Sequence, residues 1–220
     1  MHLILLLLWM GGDLERARDA QDRAALDRMA AQFASEAQKQ ANDPAAQYRL
    51  ALVESYIAEV ATETHDKNLA RSAAEAGIKA AERAASMKPD DAEYHRIYGT
   101  LCGQAVSANV LQGMKYGKCA QDEVNKAVQL DPKSAMNYLS RGVGNFYLPA
   151  ALGGGVELAV NDFQKAIELD PKLAEAHLWL GLALRKENRN VDARKEFQRA
   201  LELNPASVWT KEQLAKTPTG

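Results

Sequence analysis

Leu26, Met29, Phe33 and Ala37 stand at i, i+3, i+7 and i+11, the spacing of a single apolar stripe along a helix. Farther on, Ala-rich apolar stretches (ERAASMKP, NKAVQLDP, QKAIELDP, QRALELNP) each run into a proline, which cannot continue a helix. Asp43-Pro44, Lys88-Pro89, Asp131-Pro132, Asp170-Pro171 and Asn204-Pro205 are read as five helix ends. Good helix formers dominate and β-branched runs are nearly absent, so the chain reads as all-α. A unit that recurs every few tens of residues marks a repeat array. The pattern predicts a capping helix over 13–42, helix hairpins over about 45–88, 90–131, 133–170 and 172–204, and a last helix over 206–216. That last helix carries Val208, Trp209 and Leu214 on one side and polar residues on the other, as a cap against solvent requires. Residues 13–220 are expected to form one domain behind an apolar segment, 1–12.

Between Pro171 and Pro205 lie 34 residues holding His177, Leu180, Gly181 and Leu184, then Ala193, Phe197 and Ala200. This resembles the tetratricopeptide repeat, W-x2-L-G-x2-Y followed by A-x3-F, A and P. The resemblance implies a right-handed superhelical array of antiparallel hairpins whose first helices line a concave groove. The small residues let the two helices of a hairpin approach, and Leu180 and Phe197 fill the space between them. The preceding unit of 39 residues places Arg141, Gly142, Ala159, Phe163 and Ala166 in the same slots, with its surplus in Leu148–Gly155. The next, of 43, has Tyr98, Gly99, Ala120, Val124 and Ala127, with its surplus around SANVLQGMKYG. Pro44 to Pro89 spans 45 and matches least, with Leu50 and Val53 in its first helix and Gly77, Ala81 and Ala84 in its second. The element Gly113–Lys118 leading into NKAVQLDPK is similar to one found in proteins of the regulator-of-microtubule-dynamics type. A periplasmic lipoprotein type associated with TRAP transporters shares it. A lipoprotein needs a Cys just after its signal core, and Gly11-Gly12-Asp13 offers none.

Lys and Arg number 27 against 29 Asp and Glu, which gives no reason to expect nucleic acid as partner. Two cysteines are too few for a disulfide framework. With a turn near Gly113, Cys102 and Cys119 would be staggered by roughly 7 Å at ~1.5 Å per residue, so two separate buried thiols are expected. Leu3–Met10 is too short for a membrane span, which needs about 20 residues, but has the leucine content of a signal-peptide core. It lacks a positive n-region and an A-x-A-like site. A truncated export signal is favoured over a packed cap, and an extracytoplasmic location, periplasmic or exported, over a cytoplasmic one.

Gly153-Gly154-Gly155 is read as an inter-helix loop, since neither a Walker ending nor a preceding strand accompanies it. His2, His65, His95 and His177 are scattered, without zinc spacing, and His95 and His177 take the aromatic slot of the repeat. Stretches such as ERARDAQDR are read as solvated helix surface. No catalytic motif emerges, and no cofactor or metal is expected. The resemblance leaves the concave face as the functional surface, lined by Arg96, Thr100 and Gln104, then Leu139, Val143, Asn145, Phe146 and Tyr147, then Leu178, Leu182 and Arg185. The lysine and asparagine clamp of chaperone-binding relatives is missing there. A non-enzymatic scaffold for a partner protein or peptide is expected. The alternative is a small-molecule carrier with a closed pocket near Arg96, Asn145 and Tyr147.

Overall fold

The computed structural model describes residues 12–219, and within them every regular element is a helix. The Leu3–Met10 run and the export signal inferred from it lie outside the described residues. In chain order the helices are α1 (residues 12–19), α2 (Arg23–Lys39), α3 (Pro44–Glu63), α4 (Lys67–Met87), α5 (Ala92–Ala108) and α6 (Gly113–Leu130). Then come α7 (Ala135–Tyr147), α8 (Val156–Leu169), α9 (Ala174–Lys186), α10 (Asn190–Leu203) and α11 (Val208–Ala215). No helix among the described residues is long and apolar enough to cross a membrane. Consecutive helices pair as antiparallel hairpins, α3 with α4, α5 with α6, α7 with α8 and α9 with α10, and the first helices lie side by side.

The single helix expected over 13–42 is broken. Gln21 adopts φ +52°, the Asp22 N–H donates to the Ala17 carbonyl at 2.8 Å, and the Asp22 carboxylate caps α2 at the Ala25 N–H. His65 and Asn188 have the same left-handed backbone at the α3–α4 and α9–α10 corners, and Asp66 and Arg189 donate likewise to Ala61 and Leu184. Residues 12–39 thus turn as a further hairpin. The apolar stripe of α2 is present, with Leu26, Phe33 and Ala37 buried, but the periodicity carried no sign of the corner.

The register of the first proline also needs correction. Pro44 starts α3 at its first turn with Asp43 as cap, whereas Pro89, Pro132, Pro171 and Pro205 each stand three residues before a helix. Counted from the helix start, Ala51 therefore takes the place of Gly99, Gly142 and Gly181, and the poor match of this unit comes from an offset of three residues. Its length is real: α3 and α4 run 20 and 21 residues, against 13 and 14 in α9 and α10.

The expected packing residues do hold the hairpins. Ala127, Ala159, Phe163, Ala166, Ala193, Phe197, Ala200 and Leu180 are buried, and Ala120 half-buried. A Cβ on Gly142 would lie 2.6 Å from Phe163, one on Gly181 2.7 Å from Phe197, and one on Gly99 2.7 Å from Val124. Gly181→Leu is expected to lower stability by about 1–3 kcal/mol, because the Phe197 ring it meets is itself enclosed and cannot step aside. Urea unfolding measures it, and an unchanged midpoint would contradict the packing argument. Gly153 (φ +88°) and Gly155 (φ +121°) form the loop expected between α7 and α8.

The cysteines are the clearest departure. Cys102 and Cys119 form a disulfide, with Cα atoms 6.0 Å apart. The turn is centred not at Gly113 but on the short 3-10 segment Val110–Gln112, since α6 already begins at Gly113. Cys102 stands six residues before the end of α5 and Cys119 six after the start of α6, so the expected stagger vanishes.

Candidate functional site

Three neighbouring first helices are tied by one polar network. The Tyr48 hydroxyl on α3 donates to Glu93 at 2.7 Å, Glu93 accepts from Arg96 at 2.6 and 2.5 Å, and Arg96 donates to Ser140 on α7 at 3.1 Å. Burial works against both charges, but each holds the other ionised: Glu93 lies below the usual carboxylate range and Arg96 above its ordinary value. In the α5–α6 and α9–α10 hairpins a histidine plays a comparable part. The His95 ring nitrogens sit 2.5 Å from Glu123 and 2.9 Å from the Pro89 carbonyl, and those of His177 face Glu196 and Pro171 in the same way.

α1 lies against α3 and reaches the other end of the array. Leu14, Ala17 and Arg18 form its buried face, at i, i+3 and i+4, while Glu15 and Arg16 face solvent. The Arg18 guanidinium stands 4.8 Å over the Tyr56 ring, pairs with Asp19 at 2.7 Å, and donates to Glu175 in the first turn of α9 at 2.5 Å. Asn204, after α10, donates to Asp19 at 2.7 Å, and Gln21 donates to Glu63 at 2.8 Å. The first and last hairpins therefore meet across the concave face. Arg18 and Asp19 belong to the ERARDAQDR stretch, and the expectation that it is solvated surface is corrected for these two: Arg18 is 8% exposed.

Where they meet, a cavity of about 20 Å³ is lined by Arg18, Asp19, Glu59, Glu63, Ala174, Glu175, Leu178, Asn204, Ser207, Trp209 and Thr210. That is space for about one water molecule. Trp209 belongs to an aromatic cluster, 5.5 Å from Trp179, which in turn is 5.7 Å from Phe146 and 5.9 Å from Tyr147. Burial, reinforced by Glu59, pushes the Glu63 carboxyl up to about 8, with Gln21 and Arg18 opposing, and burial also raises Glu59. Tyr147 on α7 feels Glu59 and Glu63 in turn, yet remains 48% exposed.

Residues 13–148 match the family model of regulator of microtubule dynamics protein 1-3. The chain belongs to this family. Residues 152–188 match a TPR repeat model and 174–207 a tetratricopeptide repeat model, so this family member is also a tetratricopeptide-repeat protein. No curated protein matches its sequence. Among solved structures it is similar to TTC0263, a thermophilic TPR protein of Thermus thermophilus, at 18% identity and TM-score 0.65, covering 92% of this chain and 97% of that one. It is also similar to MamA (41-end) from Desulfovibrio magneticus RS-1, at 17% identity and TM-score 0.47, covering 89% and 93%. The first of these shows the tetratricopeptide solenoid fold.

In this family member the groove residues expected from sequence divide. Tyr147 approaches the cavity and Leu178 lines it. Arg96 is spent on Glu93 and Ser140, and Arg185 on Gln213 and Thr217 around α11. Asn145 donates to Asp162 on α8, within its own hairpin. Gln104 donates to the Ser55 carbonyl, while its Oε1 and the Thr100 hydroxyl are buried without a partner among the described residues. Leu139 and Leu182 are buried and Val143 and Phe146 partly buried in the α7–α10 core. Sequence reasoning missed Arg18, Asp19, Glu59, Glu63, Glu175 and Trp209 as a group. Glu59 and Glu63, one turn apart in the largely apolar last two turns of α3, were the available signal.

The pH dependence has a definite sign. A carboxyl raised by folding keeps its proton in the folded state while the unfolded chain has lost it, so stability falls as pH rises between the two values. For Glu63 that window runs from about 4.5 to about 8. Glu54, raised to about 7 by burial and by Asp27, adds in the same sense over the lower part of the window. The melting temperature is expected to be lower at pH 8.5 than at pH 6, with a smaller difference in Glu63→Gln. A melting temperature that rises with pH would refute this.

Proposed function

We propose that this protein is a non-enzymatic docking scaffold that holds a partner protein or peptide against the concave face of its first helices. What carries this is the combination of a floor locked by Tyr48, Glu93, Arg96 and Ser140 with the half-exposed Tyr147 and the carboxyl groups of Glu59 and Glu63 near it. Rigid placement of groups with unused binding capacity suits recognition, because little ordering is left to be done on association. The size of the cavity, about 20 Å³, favours this reading over a carrier, whose pocket would need roughly 300–1,000 Å³. The disulfide supports a location in an oxidising compartment, consistent with the extracytoplasmic placement proposed from the apolar N-terminal run.

Affinity capture from the source extract with the wild-type chain and Tyr147→Ala tests the reading, since Tyr147 contributes surface rather than core. A protein retained by the wild type and lost with the variant is the expected result. A small molecule that co-purifies without any protein would overturn it in favour of a carrier.

A further inference from the structure

Across the concave side the first and last hairpins face each other with about 20 Å³ between them, too little for a peptide backbone. A partner that reaches this part of the face has to part the two ends, so what joins them decides access. Among the described residues, buried apolar side chains do not. Those of α1 to α5, from Leu14 to Ala105, form one cluster with residues of α6 packed against it, and those of α7 to α10, from Leu139 to Ala200, form another with Trp209 and Leu214. Leu14 and Ala17 anchor α1 in the first cluster. Its hydrogen bonds to the last hairpin, among the described residues, run from Arg18 to Glu175 at 2.5 Å and from Asn204 to Asp19 at 2.7 Å. Both partners on the far side depart from their counterparts. Asp131, Asp170 and Asn204 stand in equivalent turns before α7, α9 and α11, where the carbonyl accepts the N–H three residues on and a side-chain oxygen the one two residues on. Aspartate serves that turn twice. At 204 the oxygen still serves it, and the amide nitrogen, which aspartate lacks, reaches Asp19. Glu175, second residue of α9, corresponds to Glu93 in α5. Glu93 meets Arg96 one turn on, but Leu178 stands at that place in α9, and Glu175 meets Arg18 instead.

We propose that Arg18–Glu175 and Asp19–Asn204 form a latch that gates the concave face. Closed, the latch holds the array shut over its own docking surface. Open, through small rotations shared among the hairpins, it admits the partner. The proposal rests on the docking reading above and names its regulation. Opening exchanges two polar contacts for contacts with water and leaves both apolar clusters whole. The Arg18 guanidinium keeps its place in either state, 4.8 Å over Tyr56 and 2.7 Å from Asp19, so the latch is ready to re-form.

The test measures the separation of the two ends in the full chain by double electron–electron resonance. Spin labels are carried at Arg28 on α2 and Lys211 on α11, both exposed, through a ketone-bearing unnatural residue that spares the native disulfide. Wild type is expected to give one short distance. Asn204→Asp combined with Glu175→Gln, which sets a carboxylate against Asp19 and removes the charge facing Arg18, should give a longer and broader distribution. Asp131→Asn, in an equivalent turn away from the latch, should leave the distance unchanged. Asn204→Asp alone keeps the test open if the double variant does not fold, because aspartate already makes this turn at 131 and 170, and circular dichroism checks each. Capture from the source extract then reads the gate. Where the closed form predominates about ten to one, a protein whose retention depends on Tyr147 should bind the latch variant about tenfold more tightly than wild type. An unchanged distance in the variants would overturn the latch. A longer distance with unchanged retention would overturn the gating while the scaffold stands. If no retained protein depends on Tyr147, the scaffold falls and the gating with it.

Discussion

Replacing Phe163 by alanine is expected to lower the unfolding free energy by about 3–5 kcal/mol. Phe163 is 0% exposed, and its ring covers Gly142, where no side chain stands that could move into the space it leaves. On its other side it stacks on Trp179, with ring centroids 6.3 Å apart and planes at 29°, so one residue of α8 ties its own hairpin to α9. Truncation therefore removes transfer free energy, leaves an unfilled cavity and loosens the contact between neighbouring units. In a solenoid, where each unit is stabilised by its neighbours, the effect should spread along the C-terminal half. Urea unfolding followed by tryptophan fluorescence measures it directly, because Trp179 reports the affected region. A loss below about 1 kcal/mol would mean that the site collapses freely and that the ring is not its organising group.

The second large effect belongs to the other half of the molecule. Cys102→Ala with Cys119→Ala is expected to lower stability by about 3 kcal/mol, from the loop-closure entropy of a bridge between residues 17 apart. Where α8 and α10 place Phe163 and Phe197 against the first helix of their hairpins, α6 has the smaller Val124. The bridge thus holds a hairpin whose apolar contact at this position is smaller than in those two. Reduction of the wild-type protein should reproduce the loss of stability, and the double variant should no longer respond to reductant. Quantitative alkylation of both thiols in the native protein without reductant would restore the expectation of two separate cysteines.

Much of the scaffold was legible because helix pairing depends on local spacing. The small slots at Gly142 and Gly181 and the phenylalanines at 163 and 197 lie at fixed offsets from a proline, and the offsets alone paired them. Reading failed where one residue type can do two jobs. Pro44 starts a helix, whereas Pro89, Pro132, Pro171 and Pro205 lie in the turns before one, and only the backbone tells the two uses apart. Gln21 turns the chain with a left-handed backbone that glutamine rarely adopts, so nothing in ERARDAQDR marked the corner. The same uncertainty in turn position separated the two cysteines.

The concave face was legible only as a surface. Residues one turn apart on α5, α7 and α9 were expected to point into it together, but Arg96 and Arg185 are consumed by structural ion pairing and hydrogen bonding, and Asn145 turns to its own hairpin. By itself, the sequence determined the all-helical class, the repeat, the family resemblance and the packing of the hairpins, since each of these follows from spacings within a few tens of residues. Only the tertiary structure decided that Arg18 meets Glu175, 157 residues away, and that Glu59, Glu63 and Trp209 share a cavity with them. The curvature that closes the array sums small rotations over every hairpin, and no local pattern carries that sum.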